Sequence, residues 1–222
     1  MNGKPRYALI VAGGRGLRMG AEMPKQFLPL TGLPVLMHTM RRLAPHVDEI
    51  VLVLPVEHHS FWQELCTRYG FMSPHRVAAG GDTRFASVHS GLELVPDGAL
   101  VAIHDGVRPL VSAETIEACF HAAEAAGAAA PYRPLTESLR YYTPEANHAV
   151  DRSQYVTVQT PQTFRSEWIR EAYAMPYEER FTDDCSVYES SFGRPVTLVE
   201  GNAENIKLTT PQDLALAELL MR

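Results

Sequence analysis

The alternation of short β-rich runs with helical patterns constrains this chain more than any other feature of its sequence. The runs Tyr7–Ala12, Ile50–Leu54, Arg76–Ala79, Leu100–His104 and Val196–Val199 read as buried strands. Helical spacing occupies Val35–Leu43, His58–Tyr69, Thr83–Leu94, Ala113–Ala126, Ser166–Met175, Asp183–Phe192 and Pro211–Met221. Strands separated by helices cannot form tight hairpins with one another. They predict an α/β fold with a parallel-rich sheet covered by helices on both faces. In such a sheet, ligands bind beyond the carboxyl ends of the strands. A chain of 222 residues fits one domain of this kind with a sizeable core.

One segment breaks the rhythm. Residues 131–160 and the residue after them hold prolines at 131, 134, 144 and 161. Two strand-like pieces lie there, Ser138–Tyr142 and Tyr155–Gln159, with the turn-rich TPEANH between them. The pattern predicts a small protruding β-arm over 134–157, or else a long surface loop. As an arm it would pack on a partner subunit.

Charge and cysteine usage narrow the function. A net charge of −6 argues against a nucleic-acid partner but allows a local anion site. No apolar run approaches the roughly 20 residues that span a membrane, and MNGKPRYALIVAGG lacks the layout of a signal peptide. Cys66, Cys119 and Cys185 are odd in number, widely spaced and without a CxxC pair. The expectation is therefore free thiols in a reducing cytoplasm rather than a disulfide framework or zinc site.

After the first strand come four glycines in eight residues, Gly13 to Gly20, interleaved with Arg15 and Arg18 and followed by Pro24-Lys25-Gln26. A dinucleotide fingerprint fails here. Met19 stands where its third glycine belongs, and Pro55-Val56 follow the second strand in place of an acid. A P-loop fails as well, since no lysine–hydroxyl pair follows the glycines. A purely structural turn leaves Arg15, Arg18 and Lys25 unexplained. Glycine lets backbone N–H groups approach a ligand, bare N–H groups form an anion-binding concavity, and arginine and lysine add charge for phosphate oxygens. The segment reads as a cradle for a chain of phosphates.

Gly13-Gly14-x-Gly16-x-Arg18-Met19 with Pro24-Lys25-Gln26 resembles the nucleotide-binding signature of the sugar-phosphate nucleotidyltransferase family. GGDTRFASV (Gly80–Val88), HDGVRP (His104–Pro109), QTPQTF (Gln159–Phe164), TDDCSV (Thr182–Val187) and VEGNAENIKLTTPQDLALAE (Val199–Glu218) extend the likeness, in order, over nearly the whole chain. They are similar to the blocks of its cytidylyltransferase members. The resemblance implies a Rossmann-like three-layer sandwich and transfer of CMP from CTP to a sugar-alcohol phosphate, with release of pyrophosphate. The acceptor it favours is 2-C-methyl-D-erythritol 4-phosphate. D-ribitol 5-phosphate stays open, because the opening block is shared with enzymes acting on it. A nucleotide-binding module without turnover is the alternative from another class.

The resemblance also assigns roles. Arg18 and Lys25 match catalytic positions, and Arg15 matches a variable one. Ala12, Gly13, Gly14, Gly16, Gly81, Asp82, Ser87, Asp105 and Lys207 match nucleotide-binding positions. Ser138, Arg152 and Thr160 match acceptor positions, with Arg152 reaching a neighbouring subunit in a homodimer that exchanges arms. Mg²⁺ is the implied cofactor, with Asp105 its nearest protein carboxylate. Asp82 is also a candidate N-cap for Thr83–Leu94, and Arg84 and Arg108 are candidates for structural or orienting roles. His104 reads as a packed, hydrogen-bonded histidine, and His58-His59 as the start of a surface helix. Glu137-Ser138-Leu139-Arg140 departs from the family's Asp-Thr-x-Lys. Ser138 keeps the hydroxyl and Arg140 the charge.

Overall fold

The computed structural model describes residues 3–14 and 23–222. In chain order the strands are β1 (Arg6–Val11), β2 (Pro29–Leu30), β3 (Leu33–Pro34), β4 (Glu49–Leu54), β5 (Arg76–Ala79), β6 (Leu100–Asp105), β7 (Ala128–Pro134), β8 (Arg140–Tyr142), β9 (Asn147–Ala149), β10 (Val156–Val158), β11 (Gln162–Arg165) and β12 (Thr197–Glu200). The helices are α1 (Val35–Leu43), α2 (His59–Tyr69), α3 (Arg84–Leu92), α4 (Ala113–Ala126), α5 (Ser166–Tyr173), α6 (Asp184–Phe192) and α7 (Pro211–Leu220).

Strands β5, β4, β1 and β6 run parallel in that spatial order. Antiparallel β11 follows β6, then β7, with β12 parallel on its far edge. The side-chain period of two sends neighbours to opposite faces. Ile10, Leu52 and Ala102 face α1, α2 and α4 in one core layer, while Leu9, Val53 and Ile103 face α3, α5 and α6 in the other. Both faces are dry, which is why β4 reads as the unbroken apolar run IVLVL. Each fully buried Leu, Ile or Val contributes about 1.5–3 kcal/mol. Helix α7 packs apart, in a third cluster with Leu30, Val107 and Leu208.

The expected strands and helices are all present, with ends shifted by one or two residues. The arm is built differently from its sequence reading. Arg140–Tyr142 pairs with Asn147–Ala149, so the hairpin's second strand begins inside the stretch read as turn. The other piece lies in the main sheet, where Val156–Val158 pairs antiparallel with Pro134–Tyr132 of β7. Strands β7 and β11 were not expected. The first is AAAPYRP, in which alanine carries little β preference and proline argues against a central strand. The backbone tolerates Pro131, whose carbonyl still accepts the Gln159 N–H at 2.8 Å.

Candidate active site

The carboxyl ends of β1 and β6, with the turns after β5 and β6, converge on a cavity of about 210 Å³. One wall is the glycine segment following β1. Gly106 N–H donates to the Val11 carbonyl at 2.9 Å, and the Ala12 N–H donates to Val53 at 3.0 Å, so this backbone is fixed up to its exit from the sheet. Gln26 is buried, and its amide donates to the Ala12 carbonyl at 2.7 Å. That bond holds the segment carrying Lys25 against the loop, and Lys25 lines the cavity beside Gly14. A side chain on Gly106 would place its Cβ 2.8 Å from that of Ala12. Glycine at this position lets the two loops touch.

The facing wall is the turn into α3. Gly81 N–H donates to Ser87 Oγ at 3.0 Å, and Ser87 Oγ lies 2.9 Å from the Thr83 carbonyl. A Cβ on Gly81 would sit 2.6 Å from the Ala86 Cβ, so only glycine fits this turn. The helix N-cap is Thr83, whose hydroxyl accepts from Ala86 N–H at 3.0 Å. This corrects the capping role weighed for Asp82, which lines the cavity without capping. Both residues are good N-caps, and only the backbone turn decides between them.

The floor is a charge cluster. Asp105 is the last residue of β6, one residue further into the strand than the sequence pattern suggested. Its Oδ2 pairs with Arg108 Nε at 3.0 Å and with Lys207 Nζ at 3.1 Å, while Arg84 Nε stands 3.9 Å from Oδ1. Burial pushes the carboxyl up, but Lys207, Arg84 and Arg108 together outweigh it and hold Asp105 well below the usual carboxylate range. It is ionised at neutral pH, and its cluster is net positive. Arg84 is anchored from behind by a bidentate pair with buried Asp184, at 2.7 and 2.6 Å, and Tyr173 OH donates to the same carboxylate at 2.6 Å.

A second cleft of about 280 Å³ shares Arg84, Asp105 and Lys207 with the first. Thr160 lies on its wall, 5% exposed, with its hydroxyl on buried His104 and on the Asp105 N–H. The structure thus brings together Ala12, Gly13, Gly14, Lys25, Gly81, Asp82, Ser87, Asp105 and Lys207 around one cavity, with Thr160 next to it. Ser138 and Arg152 sit exposed in the arm segment, where the Arg152 guanidinium donates to the Thr136 carbonyl. Arg15, Gly16 and Arg18 lie outside the described residues. Sequence reasoning left out Gln26 and the Asp184–Tyr173 anchor. Gln26 stood in plain view beside Lys25. Nothing local marks Asp184 as the partner of Arg84, a hundred residues earlier.

Among the described residues no group of His, Cys, Asp and Glu forms a ready-made metal cage. A three-layer α/β chain with a positive cleft at the carboxyl edge of its sheet, walled by glycine backbone and small polar residues, belongs to the nucleotide-handling α/β proteins. Comparison with known proteins makes this specific. Residues 7–222 match the model of the 2-C-methyl-D-erythritol 4-phosphate cytidylyltransferase family, and the chain belongs to that family. A protein of that name from Porphyromonas gingivalis (strain ATCC 33277) is 74% identical over 97% of this chain and 97% of its own. One from Phocaeicola vulgatus is 49% identical over 97% and 99%. The crystal structure of the 4-diphosphocytidyl-2C-methyl-D-erythritol synthase from Anaerococcus prevotii superposes with a TM-score of 0.83 at 28% identity, covering 99% of this chain and 97% of that one.

Proposed function

We propose that the protein transfers CMP from CTP to 2-C-methyl-D-erythritol 4-phosphate, giving 4-diphosphocytidyl-2-C-methyl-D-erythritol and pyrophosphate. The observation that carries this reading is the single cavity uniting the Gly13–Gly14 backbone, Lys25, Lys207 and ionised Asp105, in a chain that matches the family over residues 7–222. A phosphate oxygen of the acceptor attacks the α-phosphorus of CTP. The new P–O bond forms as the bond to the β-phosphate oxygen breaks, and pyrophosphate leaves with that electron pair. An ionised phosphate is already nucleophilic, so the site supplies position and charge rather than a strong base.

This chain's residues divide the work. Gly81, Asp82 and Ser87 face the base and ribose from one wall. Lys25, with Arg18 by family resemblance, neutralises charge on the transferring and leaving phosphates. Lys207, Arg108 and Arg84 hold the acceptor side, where the two clefts share a floor. Mg²⁺ fits this donor set. Asp105 Oδ2 is taken by two cations, whereas among the described residues Oδ1 has its ion-pair contact with Arg84 at the longer distance of 3.9 Å. A single carboxylate plus substrate phosphates is a common Mg²⁺ arrangement, in which Asp105 would hold the ion and the ion would supply charge neutralisation for the phosphates.

The arm supports a homodimer. Tyr142 is 75% exposed and Tyr141 52%, and aromatic side chains at this exposure on the β8–β9 hairpin, apart from the main sheet, suit a partner surface. Ser138 and Arg152 would then serve the partner's acceptor cleft. Three free thiols suit a cytoplasmic setting. The test is pyrophosphate release with CTP and Mg²⁺, comparing 2-C-methyl-D-erythritol 4-phosphate with D-ribitol 5-phosphate. Turnover with the first alone supports the proposal. Turnover with the second alone reassigns the acceptor, and tight CTP binding without turnover on either returns the chain to a binding module.

A further inference from the structure

His104 is fully buried, just inside the cluster at the end of β6. Its Nε2 lies 3.1 Å from the Arg108 carbonyl oxygen. A carbonyl only accepts, so Nε2 carries the hydrogen. Nδ1 lies 3.0 Å from Thr160 Oγ1. In this tautomer Nδ1 is the acceptor. The hydrogen on this contact comes from the Thr160 hydroxyl, and that oxygen in turn accepts the Asp105 N–H at 3.1 Å. The direction of the whole chain is now fixed: Asp105 N–H to Thr160, Thr160 O–H to His104, His104 Nε2–H to the carbonyl of Arg108.

The two ends of this chain are the two ends of one turn. Arg108 N–H donates to the Asp105 carbonyl at 3.1 Å, and the Arg108 side chain pairs with the Asp105 carboxylate at 3.0 Å. We propose that His104 is a positioning residue for nucleotidyl transfer: its ring, in the Nε2–H tautomer, braces the Asp105–Arg108 turn at both ends and thereby sets the aim of the Asp105 carboxylate and the Arg108 guanidinium. Thr160 acts in the same way. Its hydroxyl bridges the Asp105 N–H and the His104 ring, so it steadies the same end of the turn. The kinetic part rests on the cytidylyltransferase reading, and the tautomer does not.

Long-range ¹H–¹⁵N spectra of histidine-labelled protein at pH 7.5, with His104 assigned through its backbone neighbours, read the ring directly. The expected pattern is a protonated Nε2 and a bare Nδ1. A protonated Nδ1, alone or with Nε2, overturns the proposal without any variant. Kinetics supply the second arm. His104→Asn keeps an acceptor near Thr160 and loses the donor to Arg108, whereas His104→Leu loses both. Misaligning groups that orient reacting ligands costs roughly 10- to 100-fold. The expected loss is of that size in kcat for His104→Leu and smaller for His104→Asn. KM for CTP changes less than kcat, because Gly81, Asp82 and Ser87 are held by their own turn and only Arg84 of that wall reaches Asp105, at 3.9 Å. Full kcat in a folded His104→Leu also overturns the proposal. Wild-type protein that releases no pyrophosphate but shows the bare Nδ1 overturns the cytidylyltransferase reading and leaves the tautomer standing.

Discussion

Replacing Asp184 with asparagine tests how the site's rear wall is held. Asp184 is fully buried and takes three short hydrogen bonds, two from the Arg84 fork and one from Tyr173 OH. In Asp184→Asn one oxygen survives, but an NH₂ group now faces a guanidinium N–H, donor against donor. Removing one partner of a fully buried ion pair costs about 3–5 kcal/mol. The Arg84 side chain is 31% exposed, and water reaching it recovers part of that loss. A cost of about 2–3 kcal/mol is therefore expected. For a domain of this size each kcal/mol moves the melting midpoint by about 2–4 °C, so Tm falls by roughly 4–12 °C. Differential scanning calorimetry reads the shift, and urea denaturation at 25 °C checks it. There is a functional consequence too. Once its fork is loosened, Arg84 has Asp105 Oδ1 as its nearest remaining carboxylate, and pairing there competes with the Mg²⁺ position. CTP affinity in Mg²⁺ should fall along with stability. An unchanged melting midpoint would refute the reasoning, because it would mean that the anchor holds nothing up.

Acid stability has a definite sign. Burial pushes His104 from its ordinary 6.5 down to about 4, so between those values the unfolded chain binds more protons than the folded one. Stability therefore drains away as pH falls from 6.5 towards 4, by up to about 3 kcal/mol. Half-buried His38 is shifted in the same direction. Asp105, held low by its cations, adds a further loss below its ordinary 3.8. Urea midpoints at pH 7.5 and 5 should differ in wild type and differ less in His104→Asn, and equal slopes would sink the assignment. Mg²⁺ alone should give no calorimetric binding signal, since Lys207, Arg108 and Arg84 leave the Asp105 cluster net positive. Binding should appear only with CTP, and chelation should abolish turnover. Arg152→Ala should raise KM for the acceptor at least tenfold while leaving Kd for CTP alone, and an equal effect on both would place Arg152 elsewhere.

Much of the site was legible because its chemistry is local. Gly13, Gly14 and Lys25 stand close in sequence and line one cavity, and β-branched runs announce β1, β4 and β6. What stayed hidden depends on contacts distant in sequence. The Arg84–Asp184 fork joins residues a hundred positions apart, and neither neighbourhood names the other. Strand β7 hid behind alanines and two prolines, since its strand character comes from its partners β10, β11 and β12 rather than from propensity. The arm misled for a related reason. Tyr155–Gln159 has the right residues for a strand, but its partner is Tyr132–Pro134 in the main sheet, and only the fold decides between that edge and the hairpin.

The most direct test of the central claim is a ³¹P NMR time course of the purified protein with CTP, Mg²⁺ and 2-C-methyl-D-erythritol 4-phosphate. The account predicts that the acceptor monophosphate signal decays while a coupled pair from a new diphosphate diester and one equivalent of pyrophosphate grow together. Loss of CTP to CMP and pyrophosphate with the acceptor signal intact, or no change in any signal, would contradict it.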